Sequence, residues 1–228
     1  MNEYKKPLVT VNPKIIKEYS FVKHDSEKKK TLESVGIIGA CQGPFTADMY
    51  PNMKQKTLET INNRFHLESF GLISGGSSWC DHIAVQLFLG KKCDYLRLHL
   101  PCDWDVKNKK FTGNNYGGYL NKLHQQFSLI LGINTLHEID QAIRTPGCEY
   151  FSCNGFAHRN RRIADDSVVM IALSWSPGNK PLKGGTKMTW NLFRARNSNG
   201  VHINLDSFKK TEEKPTLKQT TLKRKIEE

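Results

Sequence analysis

The chain contains no CxxC pair and no long apolar run, and acidic residues are scarce relative to basic ones. Its six cysteines stand at 41, 80, 93, 102, 148 and 153. The paired spacing that builds a zinc site is missing, and 228 residues can bury a core without disulfide staples. Reduced thiols are therefore expected, with no metal and no cofactor. No stretch approaches the roughly 18–20 apolar residues needed to cross a bilayer, and the opening MNEYKKPLVTVNPK lacks the apolar segment of a secretory signal. A soluble, cytoplasmic protein without a membrane partner is expected. Lys and Arg number 34 against 22 Asp and Glu, for a net charge of +12. The excess is spread: +3 over residues 1–34, +3 over 207–228 and the rest between. Such a charge attracts phosphate-bearing partners in general and does not single out nucleic acid.

What is there is an alternation of strand and helix signals. Residues 1–33 mix short apolar patches with lysines and read as an N-terminal arm. Residues 207–228, rich in Lys, Thr and Glu, read as a disordered basic tail. Its Lys223-Arg224-Lys225 cluster leaves a nuclear address open, though such clusters are often only solvated ends. Between the tails, strands are expected at 34–40, 71–74, 94–100, 167–173 and 200–205. Helices are expected at 52–66, 79–89, 157–165 and 184–196. SVVMIAL, at 167–173, is a continuous apolar run, as a central strand buried on both faces requires. This rhythm predicts an α/β domain over 34–206, Rossmann-like, with a mostly parallel five-stranded sheet in the order 3-2-1-4-5. Residues 103–153 break the rhythm. They are too long for an ordinary connection and read as an insertion after the third strand, beside the sheet, with one or two helices.

Three loops follow strands at their carboxyl ends, the edge where open α/β sheets bind ligands. The first carries Gly39 and Gln42. The second is Ser74-Gly75-Gly76-Ser77-Ser78, and the third Lys183-Gly184-Gly185-Thr186. In the last two, glycine allows close backbone approach, and the helix that follows presents free N–H groups and a favourable dipole to an anion. Ser77, Ser78 and Thr186 add hydroxyls. A Gly-Gly before a helix also serves simple tight turns. A fourth element, Arg159-Asn160-Arg161-Arg162, opens a helix. Arg suits bidentate phosphate contacts, but a solvated basic face reads the same way. Asn160 can read a ligand hydroxyl or cap the helix. Asp81 can bind a ribose hydroxyl, act as a catalytic acid or serve the helix dipole. His82, His99 and His158 show no ligand spacing.

At these residues the chain resembles the SLOG superfamily, the Rossmann-like group that includes LOG-type phosphoribohydrolases, DprA and the YspA/YpsA-like proteins. The likeness is to the YspA-like branch. It runs through Gly75, Gly76, Asp81 and Ala84, then Pro101, Asp103 and Trp104, then Arg159 and Asn160, and last Lys183-Gly184-Gly185-Thr186, over roughly 34–206. The resemblance implies a nucleotide or nucleotide-derived ligand held between the two glycine loops. LOG-type enzymes carry a glutamate soon after the last loop. Here Lys187-Met188-Thr189-Trp190 follows instead, with no acid before Asp206. The first-strand loop has Gln42 near the place of the arginine often seen in the YspA-like branch.

Three functions follow as expectations. The foremost is binding or sensing of a nucleotide or related phosphorylated molecule. The second is an N-glycosidic hydrolase or transferase on a nucleotide, with Asp81 as catalytic residue and Asp165 and Glu149 as outside candidates. The third is DprA-like nucleic-acid binding through the basic surface, although the tails lack the interleaved aromatics that stack bases. A homo-oligomer is compatible with each.

Overall fold

The structure, a computed structural model, describes residues 33–209. The N-terminal arm up to residue 32, the tail from 210 and its 223–225 basic cluster lie outside the described residues. Six parallel strands form the main sheet: β1 (Glu33–Gly39), β2 (Phe70–Ser74), β3 (Tyr95–Leu100), β6 (Cys148–Ser152), β7 (Val169–Ser174) and β8 (Gly200–Asn204). Their order is β6-β3-β2-β1-β7-β8. β4 (Trp104–Asp105) and β5 (Lys110–Phe111) make a small antiparallel ribbon. Every residue of β2 and β7 is buried, as their apolar runs demand when helices cover both faces.

The expected five-stranded sheet is corrected to six. The five expected strands keep their relative order, and β6 joins outside β3, with Leu98 opposite Tyr150 and Leu100 opposite Ser152. β6 comes from residues assigned to an insertion beside the sheet, so the end of that segment is part of the sheet itself. Its CEYFS sequence is half exposed along its length, because an edge strand pairs on one side only. It therefore lacks the apolar run that marked β7.

Helix α1 (Met49–Arg64) follows β1, α2 (His82–Leu89) follows β2, and the inserted α3 (Gly118–Leu131) and α4 (Thr135–Arg144) precede β6. These pack on one face through Met53, Ile61, Ile83, Leu87, Phe127 and Ile139, all buried in the larger core cluster. Helices α5 (Gly155–Asp166) and α6 (Gly184–Arg194) cover the other face through Ile163, Ala164, Trp190 and Phe193. The segment expected to hold one or two helices holds two α-helices and a π-helical turn, Gly113–Gly117. Gly132 ends α3 in the left-handed region, at φ 68°, where glycine has no steric cost, and Asn134 caps α4 by accepting from the His137 N–H. A 3-10 turn, Leu205–Phe208, packs Phe208 against the core and carries ordered chain past residue 206.

The chain steps from β1 to β2, β3 and β6 in one direction, then crosses back to β7 and β8 in the other. The winding reverses between β1 and β7. Loops 40–48 and 175–183 flank that reversal, the position at which doubly wound sheets open a crevice.

Candidate functional site

The loops at the carboxyl edge converge on the start of α5. Arg159, one turn into that helix, reaches across the sheet edge. Its Nη1 donates to the Gly75 carbonyl at 3.3 Å and pairs with the Asp81 carboxylate at 3.2 Å, and its Nε donates to the Asn160 side-chain oxygen at 3.0 Å. Gly75 is required for this approach, since a Cβ there would stand 2.7 Å from the guanidinium carbon. Asn160 then faces the third loop, where a Cβ on Gly185 would meet its Nδ2 at 3.2 Å. The first loop joins through Asp81, which also accepts the Gly39 N–H at 3.2 Å and the Ser77 N–H at 3.4 Å. Gly39, Gly75, Ser77, Asp81, Arg159, Asn160 and Gly185 are thus brought together in one connected group.

Asp81 is fully committed within it. It precedes α2 without capping it. Its oxygens instead serve two main-chain amides and a guanidinium. Burial pushes its carboxyl above the usual range, partly offset by Arg159 and by the Ser77 and Gly39 amides. An exposed acid free to attack or protonate a substrate is not what this geometry offers. The carboxylate is the internal anion that ties β1, β2 and α5 together, and it occupies the Ser77 amide, one of those expected to face a ligand anion. Asp165 and Glu149 lie apart from the group, in ion pairs with Arg196 and Arg97.

The two glycine loops differ in access. Gly75, Gly76, Ser77 and Ser78 are all buried. The insertion closes over them: His124 of α3 hydrogen-bonds the Gly76 carbonyl through Nε2 at 3.1 Å and reaches Thr135 through Nδ1 at 3.0 Å. Gly76 has φ 64°, and a Cβ there would press on Leu100 at 2.7 Å. The Ser78 hydroxyl donates to the Cys41 carbonyl. The third loop is open. Lys183, Gly184 and Gly185 are exposed and Thr186 is half-buried. Lys183, the N-cap of α6, makes no side-chain capping bond, so its side chain leaves the first N–H groups of that exposed turn uncapped. Lys183, Lys187, Arg161 and Arg162 are exposed and make no ion pair among the described residues.

Gln42 is exposed, and its role in the structure is main-chain: its carbonyl accepts the Trp175 indole N–H at 3.1 Å. That bond, with Phe45 4.9 Å from the Trp175 ring, ties the loops after β1 and β7 together. Trp175, His124 and the insertion tyrosines Tyr116 and Tyr119 were not foreseen. The available signals were an aromatic residue directly after a buried strand, and two tyrosines inside a Gly/Asn-rich stretch. A broad depression at the opposite edge is lined by Leu58, His66, Leu67, Phe70 and Lys92, and none of the expected site residues borders it. Among the described residues no group of three or more His, Cys, Asp or Glu is placed to hold a metal, and no helix is long and apolar enough to cross a membrane.

Fold and site together define a doubly wound parallel α/β protein with an open, basic helix N-terminus at its carboxyl edge. No family model matches the chain. It is 40% identical over 187 residues to the uncharacterized protein R261 of Acanthamoeba polyphaga mimivirus, an alignment spanning 79% of this chain and 98% of that protein. The chain belongs to the same family as that viral protein.

Proposed function

We propose that this chain binds a nucleotide or nucleotide-derived phosphorylated ligand at the carboxyl edge, with the phosphate at the Gly184-Gly185-Thr186 turn. The carrying observation is the meeting of that turn with Asn160. An open helix N-terminus, whose amides and dipole favour an anion, lies against a buried amide already oriented by Arg159. Lys183 and Lys187 add charge of the right sign. The reading agrees with a Rossmann-like, SLOG-type arrangement. It differs from the simplest form of that arrangement in using one glycine loop as the phosphate contact and the other as its buried support. Binding is favoured over N-glycosidic cleavage because Asp81, the candidate acid, is held by two amides and an arginine.

The test is a titration of the full chain with AMP, read by calorimetry and by the melting midpoint, which saturating ligand raises by mass action. A valine at Gly185 places branched carbons against Asn160 at the mouth of the turn. Gly185→Val is expected to weaken AMP at least about ten-fold, or roughly 1.4 kcal/mol, with the unliganded melting midpoint nearly unchanged. Equal affinity in the variant, or no AMP binding by the natural chain, defeats the proposal.

A further inference from the structure

Two aromatic side chains at the carboxyl edge are left outside the core. Tyr116, in the π-helical turn Gly113–Gly117, is 43% exposed, and Tyr119, in the first turn of α3, is 42% exposed. Both flank Phe156 on the first turn of α5, with ring centroids 5.1 and 6.1 Å away and planes nearly perpendicular to it. Neither tyrosine stacks face to face on that ring, so the contact leaves flat aromatic surface uncovered.

The arrangement is held from several sides. Gly155 has φ 80°, and a Cβ there would lie 3.0 Å from the Tyr116 ring. Arg159 stands over Phe156 at 5.3 Å. The Tyr119 hydroxyl lies beside the Cys41 thiol of the first loop. One helical turn beyond Phe156, about 5.4 Å along the axis, Asn160 reaches the phosphate turn. Only 3% of Asn160 is exposed, yet among the described residues the one hydrogen-bond acceptor of its Nδ2 is the Met188 sulfur at 3.9 Å, a weak acceptor. A buried donor without a strong partner is costly, and this one lies against the Gly185 turn, where the oxygen of a ligand held at that turn would satisfy it.

We propose that Tyr116 and Tyr119 of the insertion form a base-binding shelf, so that the ligand is a nucleotide whose planar base stacks there while its phosphate sits at Gly184–Thr186. The inference rests on the phosphate reading above and adds that the insertion selects the ligand. A protein partner suits the shelf less well, because Phe156 beneath it lies one helical turn from Asn160, which meets the Gly185 turn, and that turn is flanked by Lys183 and Lys187, exposed and in no ion pair among the described residues. Phe156, which the two tyrosines flank, and Asn160, which meets the cationic turn, are one helical turn apart, so α5 joins surfaces suited to the two ends of a nucleotide.

The experiment compares AMP with ribose 5-phosphate, which lacks the base, by calorimetry on the full chain. Stacking on an aromatic side chain is worth enough that the natural chain should prefer AMP by about ten-fold or more. In the Tyr116→Ala/Tyr119→Ala double variant that ratio should fall toward one, and Tyr116→Phe/Tyr119→Phe should restore it. Equal affinities in the natural chain, or a preference that survives the alanine variant, overturn the shelf while leaving the phosphate turn standing. Failure of the natural chain to bind either compound removes both readings. Both tyrosines are exposed, so the variants should fold, and ribose 5-phosphate binding checks this directly. A change of sedimentation in the alanine variant from oligomer to monomer would make the shelf a protein interface and end the proposal.

Discussion

The loops Gly75-Gly76-Ser77-Ser78 and Gly184-Gly185-Thr186 look alike as sequence: a Gly pair, then hydroxyls, then a helix. In the molecule they do opposite work. The first is roofed by α3, its carbonyl groups are taken by His124 and Arg159, and its Ser77 amide is taken by Asp81. The second is open to solvent at an uncapped helix. A glycine pair before a helix therefore creates the capacity to hold an anion, and the neighbouring elements decide whether that capacity is spent inside the protein or left for a ligand.

Acid should break the buried loop most strongly. Burial, with His82 nearby, holds His124 neutral, its pKa lowered from 6.5 to about 3. The unfolded chain takes up a proton on this residue below about pH 6.5 while the folded chain does not until about pH 3. This contribution to stability is present above that window and is lost as pH falls through it, by about 1.4 kcal/mol per unit. Denaturant unfolding between pH 7 and 4 should show the slope, and His124→Gln should flatten it. A slope unchanged in the variant would place the acid sensitivity elsewhere.

Arg159→Ala comes next. It leaves the buried Asp81 carboxylate without its cation, a loss of about 3 kcal/mol or more. Asp81→Asn added to it should recover part of that loss, because the unpaired charge is gone. If the double variant is less stable than Arg159→Ala by the full cost of Asp81→Asn alone, the two residues do not act as a pair.

The sharpest contrast is between the two loops themselves. Gly76→Val forces a branched residue into a left-handed conformation against Leu100, and strain plus overpacking should cost about 3 kcal/mol. Gly185→Val, on an exposed turn, should cost under about 1 kcal/mol while weakening AMP. Urea midpoints and AMP titrations of both variants give the comparison. Equal loss of stability in the two would erase the distinction between a buried and an open turn.

Much of the architecture was legible beforehand for a physical reason. SVVMIAL and GLIS can be soluble only when covered on both faces, so they announce central parallel strands, and the helices between them set the winding and the relative order of five strands. β6 was not legible. An edge strand such as CEYFS is only partly covered and has no buried residue, and only its register with Leu96–Leu100 reveals it. Asp81 illustrates the same division within the site. Its place after a glycine loop suggested chemistry, while the partner that occupies it, Arg159, lies 78 positions away in the chain.

The sequence alone thus determined five of the six strands of the main sheet, the helices between them and which glycine turns would gather at one edge, because hydrophobic period and turn chemistry act over short stretches of chain. Only the tertiary structure decided which turn is buried, which is open, and that two tyrosines of the insertion flank Phe156. Burial and charge pairing there depend on contacts between segments far apart in the chain, and no local pattern encodes them.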